Sequence, residues 1–164
     1  MAFSKRVILI FVVLIFCVGC DQTTKLIAVS HLPETETFSF LGDTLRLQLA
    51  YNRGAFLSLG ASLPNGLRQS IFTIIPCLLL IGFLIFAVFS KSATFPFVLA
   101  ISLFFAGGVG NSIDRIFRGG LVVDFLNLGI GPLRTGIFNV ADVSIMAGTI
   151  ILFYLTFRKQ KENR

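Results

Sequence analysis

Two aspartates, Asp124 and Asp142, stand eighteen positions apart in a chain of 164 residues that carries only eight acidic side chains. Carboxylates held close together in a partly desolvated site cannot easily both ionise, so they share a proton. The ionised member can take a proton from water as that water attacks a carbonyl. The protonated member can donate to the carbonyl oxygen and later help an amine leave. Such a pair titrates jointly, so the sequence alone assigns neither residue as the base. The spacing leaves two other readings open: an ion pathway, or separate partners for Arg115 and Arg134.

Other chemistries lack the necessary residues. A Ser-His triad needs His31, the only histidine, and no nucleophile motif surrounds any serine; a zinc site lacks ligands. A Ser/Lys dyad has only Lys25 to draw on, in competition with Asp21. Cys17 and Cys20 form a single C-x-x-C spacing without a second pair, and with Cys77 they read as small apolar residues in helices. Gly107-Gly108-Val109-Gly110 lacks the Lys-Ser/Thr of a phosphate loop. Ala106 and Gly110, at small-x-x-x-small spacing, predict close helix packing instead.

The elements that must position these residues follow from composition. The chain is 55% hydrophobic and 13% charged, with mean hydropathy +0.88, against roughly 45–50% apolar and about a quarter charged in globular domains. That excludes an ordinary soluble domain and intrinsic disorder, and no heptad seam supports a coiled coil. Gln69 to Ser90 and Ser92 to Ile113 are charge-free stretches of 22 residues each, enough for the roughly 20 residues that cross a bilayer as helix. Val7 to Cys20 reaches that length only by taking in Asp21 and Lys25, and Val143 to Phe157 only by reaching back past Asp142. The sequence therefore predicts an α-helical polytopic membrane protein. Its helices span about 7–28, 69–90, 92–113 and 137–157, with outer segments at about 29–68 and 115–136, all in one domain over 1–164.

The net charge of +6 does not point to nucleic acid. Seven of the fourteen Lys and Arg sit in three patches beside apolar runs: Lys5 and Arg6; Lys91; and Arg158, Lys159, Lys161 and Arg164. Positive charge on cytoplasmic loops explains them, with both termini inside. Lys5 and Arg6, the run Val7 to Gly19 and then Cys20 also have the form of a secretory signal with a lipoprotein cleavage site. Cys17 stands where Leu is usual, however, and three more membrane-length segments follow, so a retained first helix is expected.

In that topology Asp21, Lys25, Asn111, Asp114, Arg115, Asn139 and Asp142 converge on the outer face. Ionisable groups at membrane depth pair, face the bundle interior or line a wet cavity. Asp21 and Lys25, at i and i+4, can also be a purely structural pair, and Asp114 with Arg115 an interfacial anchor. Thr44 to Leu49 alternates polar and apolar strictly, as a half-buried strand does, and predicts a small outer sheet whose Leu face meets lipid or the bundle. Gly119 and Gly120 break the third helix, Leu121 to Leu128 reads as a strand carrying Asp124, and Gly129, Gly131 and Pro132 turn the chain back. Thr44 to Phe56 can form a lid over the site.

Five motifs in order resemble one family: Asp21-Gln22-Thr23-Thr24-Lys25, Asn52-Arg53-Gly54-Ala55, Gly110-Asn111-Ser112-Ile113-Asp114-Arg115, Val122-Val123-Asp124-Phe125 and Phe138-Asn139-Val140-Ala141-Asp142. The chain is similar, over nearly its whole length, to the bacterial lipoprotein signal peptidases (signal peptidase II), four-helix membrane aspartic peptidases. The resemblance implies that Asp124 and Asp142 are the catalytic pair and that the reaction cuts a diacylglyceryl-modified prolipoprotein just before its lipidated Cys. It implies that Asn52, Asn111, Arg115 and Asn139 hold the substrate backbone and orient the aspartates, with Asp21, Lys25, Gly54 and Asp114 in support. Here Phe56 and Leu57 follow Ala55 directly, where the family often has a second small residue before Phe. The expected setting is the bacterial cytoplasmic (inner) membrane, with the active site on the outer side. A monomer is expected among membrane lipids, with no metal, cofactor or nucleic acid. Two other classes compete: a small transporter or proton conductor, and a structural lipoprotein modified at Cys20.

Overall fold

The computed structural model describes residues 1–54, 60, 62–90 and 93–162; Ala55, Phe56, Leu57, Lys91 and Arg164 lie outside the described residues. Four helices are long and apolar enough to cross a membrane: α1 (Phe3–His31), α2 (Asn65–Phe89), α3 (Phe95–Phe117) and α4 (Val140–Glu162). The polytopic fold class is as expected, but the helix limits are not. The helix α1 begins at Phe3 rather than near residue 7, because Arg6 is buried within the bundle instead of lying in a solvated patch. Its guanidinium donates to the carbonyls of Val88 (2.8 Å), Ala87 and Ser90, and so caps the end of α2. The helix α3 starts at Phe95 rather than 92, after Thr94 and with Pro96 in its first turn, where a missing N–H costs nothing. It continues to Phe117, past Asp114 and Arg115, until Gly119 and Gly120 take positive φ. The helix α4 starts at Val140 rather than 137, and α2 contains a π-turn at Ser70–Ile74 just before Pro76.

The bundle is arranged around α3. Of its apolar stretch 56% is buried, against 11–17% in the other three helices, whose Phe11, Phe16, Leu78, Ile150 and Phe153 point outward as lipid-facing side chains do. Small residues allow the close approach: a Cβ on Gly107 would meet the Ala141 carbonyl at 2.3 Å, and one on Gly148 the Ala100 carbonyl at 2.5 Å. Gly107 carries the tight contact with α4, Gly110 lies against Asp21 of α1 and Ala141 of α4, and Ala106 is buried.

Beyond one end of the bundle lies an antiparallel sheet in the order β1 (Phe38–Phe40), β2 (Leu45–Asn52), β3 (Val122–Ile130), β4 (Leu133–Arg134). It rests on the end of α1 through Ala28, Leu49, Val123 and Phe125. The alternation in β2 is not strict. Leu47 pairs with Leu126 and Ala50 with Asp124, so β2 spends one more residue than β3 between these pairs. This bulge reverses the parity of the strand. Leu49 joins Val123 and Phe125 in the buried cluster, and Asn52, not Tyr51, comes onto the face that carries Asp124.

Candidate active site

The site is built from the ends of α1 and α3, the start of α4 and the strands β2 and β3. Asn139 is the N-cap of α4. Its Oδ1 accepts from the Asp142 N–H at 2.9 Å while Asp142 Oδ2 accepts from the Asn139 N–H at 3.1 Å, a reciprocal capping box. The Asn139 Nδ2 donates to Asp124 Oδ1 at 2.7 Å and to Asn111 Oδ1 at 3.1 Å. One amide therefore ties both aspartates. Asn111 Nδ2 donates to Asp142 Oδ1 at 2.9 Å, and Asn52 Nδ2 to Asp124 Oδ2 at 3.1 Å. Asn52 Oδ1 accepts from the Gly54 N–H, and the Gly54 carbonyl accepts from Arg115 Nη2 at 3.0 Å.

Beneath this layer lies a buried ion triplet. The three hydrogens of Lys25 Nζ meet three acceptors: Asp21 Oδ2 (2.9 Å), Asp114 Oδ2 (3.0 Å) and Asn111 Oδ1 (3.0 Å). Since Oδ1 of Asn111 faces the ammonium, its Nδ2 must face Asp142. The remaining lone pairs take backbone donors. Asp114 Oδ2 accepts from the Val123 N–H and Asp21 Oδ1 from the Ala141 N–H. Val123 precedes Asp124 and Ala141 precedes Asp142, so each aspartate follows a residue anchored on the triplet. Gln22, which sequence reasoning passed over, donates to Asp21, Asp114 and the Gly110 carbonyl; its place one residue from Asp21 was the available signal.

All ten residues singled out in the sequence thus enter one connected network. Asp21 and Lys25 do pair, fully buried in the protein. Arg134 stands apart, bound to Asp43 and Asn127 in the sheet, so it is no partner of either aspartate. His31 ends α1, exposed, with Ser30 as its neighbour. Asp124 and Asp142 both line a cavity of about 300 Å³ with Asn52, Asn111 and Arg115. Its walls are apolar, from Pro76, Leu79, Leu80 and Phe83 on α2 to Phe104 on α3 and Ile145 on α4. Burial first, and then the neighbouring Asp142, push the Asp124 carboxyl up to about 6; the Asn52 and Asn139 hydrogen bonds and Lys25 act against that shift. Among the described residues, Arg115 Nε is buried without a hydrogen-bond partner.

Four membrane-length helices and a small antiparallel sheet define a multi-pass membrane protein, with two carboxylates facing one cavity. The model of the family "Signal peptidase (SPase) II" matches residues 12–158, and the chain belongs to that family. Similar proteins include the "Lipoprotein signal peptidase" of Streptomyces coelicolor, 33% identical over 94% of this chain and 73% of its own length. That of Borreliella burgdorferi (strain ZS7) is 36% identical over 96% of this chain and 95% of its own length. A solved structure titled "Bacterial membrane enzyme structure by the in meso method at 2.3 A resolution" superposes with TM-score 0.81 at 28% identity, covering 98% of this chain and 92% of that one. The chain is therefore a membrane peptidase, which sets aside the transporter and structural-lipoprotein readings.

Proposed function

We propose that this peptidase removes the signal peptide from diacylglyceryl-modified prolipoproteins by aspartic hydrolysis, with Asp124 and Asp142 as the catalytic pair. The observation that carries the reading is their position. Both carboxylates face one cavity whose other walls are apolar helix surfaces. A substrate with an apolar signal helix and acyl chains can be met there without leaving the membrane plane.

The two carboxylates differ in a way that assigns roles. Asp142 is the third residue of α4, at the positive end of its dipole and in a capping box. Asp124 sits on a strand, buried beside it and pushed up to about 6. Asp124 therefore holds the shared proton and Asp142 is the base. Asp142 takes a proton from water as the water oxygen bonds to the scissile carbonyl carbon, and Asp124 gives its proton to the carbonyl oxygen. Asp142 then protonates the amine, the C–N bond breaks as the carbonyl re-forms, and the proton on oxygen returns to Asp124. Arg115 Nε, without a partner among the described residues, is a donor for a substrate carbonyl, and Asn52 and Asn111 hold the aspartates in place. Lys25, Asp21, Asp114 and Gly54 support them.

The placement is the outer side of the bacterial cytoplasmic membrane. Arg6, Arg158 and Lys159 collect at the end of the bundle opposite the aspartates, with Ser90 between them, as the excess of positive charge on the cytoplasmic side requires. The first helix is retained, since Asp21 and Lys25 belong to the site. Of the segment expected to form a lid, Leu45 to Asn52 is held in the sheet by pairing with β1 and β3, and Ala55 and Phe56 lie outside the described residues.

The test is to incubate the purified protein with a prolipoprotein in its diacylglyceryl-modified and unmodified forms and to map products by mass spectrometry. Cleavage of the modified form alone, with the lipidated Cys as the new N-terminus, is expected. Equal cleavage of both forms, or cleavage elsewhere, contradicts the proposed substrate.

A further inference from the structure

The sheet carries an apolar surface that the reaction does not use. Its two hairpin tips lie side by side, because β2 and β3 run antiparallel with Leu45 opposite Leu128, and the Gly129 N–H donates to the Thr44 carbonyl at 2.9 Å. The first tip is Leu41-Gly42-Asp43-Thr44 and the second Ile130-Gly131-Pro132-Leu133. Leu41, Ile130 and Leu133 are 79%, 79% and 82% exposed, and Phe40 and Leu128 nearby are also exposed. Tips facing water ordinarily carry polar turn residues. Leu41 instead occupies a left-handed conformation, φ +53, that Gly or Asn adopts with less strain. A large apolar side chain at such a position has a use other than making the turn.

The charges behind the tips fit the same use. Asp43 is gripped by Arg46 through two bonds of 2.6 Å and by Arg134 Nη1 through its carbonyl at 2.8 Å, and the Arg46 bonds hold its carboxyl well below the usual range. Two guanidinium groups therefore face one carboxylate, which leaves net positive charge just behind the apolar tips. Arg46 is the more open of the two, its side chain 33% exposed against 12% for Arg134, whose Nη2 is buried. An apolar rim backed by an open arginine complements a lipid surface, with hydrocarbon at the rim and phosphates at the Arg46 guanidinium. The membrane is also within reach. The sheet packs on α1 at Ala28, Val29 and Leu32, immediately beyond Leu26 and Ile27, which already face outward.

We infer that the paired hairpin tips Phe40–Thr44 and Ile130–Leu133 form a second membrane contact, with Leu41, Ile130 and Leu133 embedded in the lipid interface and Arg46 at the headgroups. A sheet held at its helix end by α1 and at its far end by lipid is fixed at both ends of β3. Asp124 and the tip are six residues apart on that strand, roughly 20 Å. The inference does not depend on which bond the peptidase cuts.

The chain has no Trp, so a single introduced Trp reports without background. Leu133→Trp and Ile130→Trp are made separately, both at well-exposed positions that leave the buried network untouched. Each is reconstituted into vesicles of phosphatidylcholine and phosphatidylglycerol, with and without bromine high on the acyl chains. Glu36→Trp, in the exposed turn before β1, serves as the water-facing reference. Blue-shifted emission at both tip positions, mostly lost in brominated vesicles and insensitive to iodide in the water, is expected. Emission at the tips that matches the reference and is quenched by iodide overturns the inference. So does blue-shifted emission that bromine leaves unchanged, since protein, such as a second copy of the chain, would then cover the tips.

Discussion

Asn139 is the residue on which both carboxylates depend, since its amide donates to Asp124, its Oδ1 caps Asp142 and its N–H binds the Asp142 side chain. That dependence was readable in principle: Asn followed three residues later by Asp before an apolar run is a helix-start signature. The resemblance named residues that the structure brings into one network, while the hydrogen bonds that differentiate them came only with the fold. The difference has a consequence for pH. The proposed mechanism needs Asp124 protonated, and burial and the neighbouring Asp142 push its carboxyl up to about 6. As pH rises through that value the protonated form is lost, and well above it activity declines about tenfold per pH unit. A pH series of kcat/KM is expected to show an alkaline limb near 6. The limb in kcat should lie higher, because bound substrate removes more water from Asp124. A limb absent up to pH 9 contradicts Asp124 as the proton holder.

Lys25 gives the second residue-scale expectation. Its ammonium is fully buried between Asp21 and Asp114, and removing one member of a buried ionic set leaves uncompensated charge. Lys25→Met should lose about 3–5 kcal/mol of stability, measurable by thermal unfolding in detergent. The sequence offered this pair as an i, i+4 neutralisation on one helix. It could not show that Asp114, 89 positions further on, completes the set.

At the scale of elements, the bulge in β2 is the feature the sequence concealed. Alternation from Thr44 to Leu49 reads as regular, and only the pairing with β3 shows that an extra residue must be absorbed between Leu47 and Ala50. Deleting Gln48 should remove the bulge and leave Ala50 opposite Asp124 and Asn52 opposite Val122, so that Asn52 still faces Asp124. Turnover is expected to stay within about tenfold with the helices intact by circular dichroism. A larger fall contradicts the register given to the two sides of the bulge. The glycines of α3 were legible as a packing stripe, but their partner was not. A Cβ on Gly107 would clash with the Ala141 carbonyl, one residue before Asp142. Gly107→Ala should therefore cost roughly 1–3 kcal/mol in stability and lower kcat as well, whereas Gly82→Ala, with nothing within 4 Å, should change neither.

For the whole molecule, the apolar runs made the four helices legible because a bilayer demands length and hydrophobicity above all else. Their limits were not legible, since these depend on caps and buried partners. Arg6 extends α1 by binding the end of α2, and Asn139 starts α4 two residues beyond Ile137. The protein is inverted relative to a soluble one, with lipid-facing Phe and Leu outside and an Asp-Lys-Asp set inside. That interior fixes α1, α3, β3 and α4 at one point and places both carboxylates on one cavity. The most direct measurement of this account compares the unmutated protein with Asp124→Asn and Asp142→Asn on a diacylglyceryl-modified prolipoprotein. Asn keeps the shape of each side chain and removes the carboxylate. Both variants are expected to remain folded and to lose at least about a thousandfold in kcat/KM. Full turnover in either folded variant contradicts the aspartic pair.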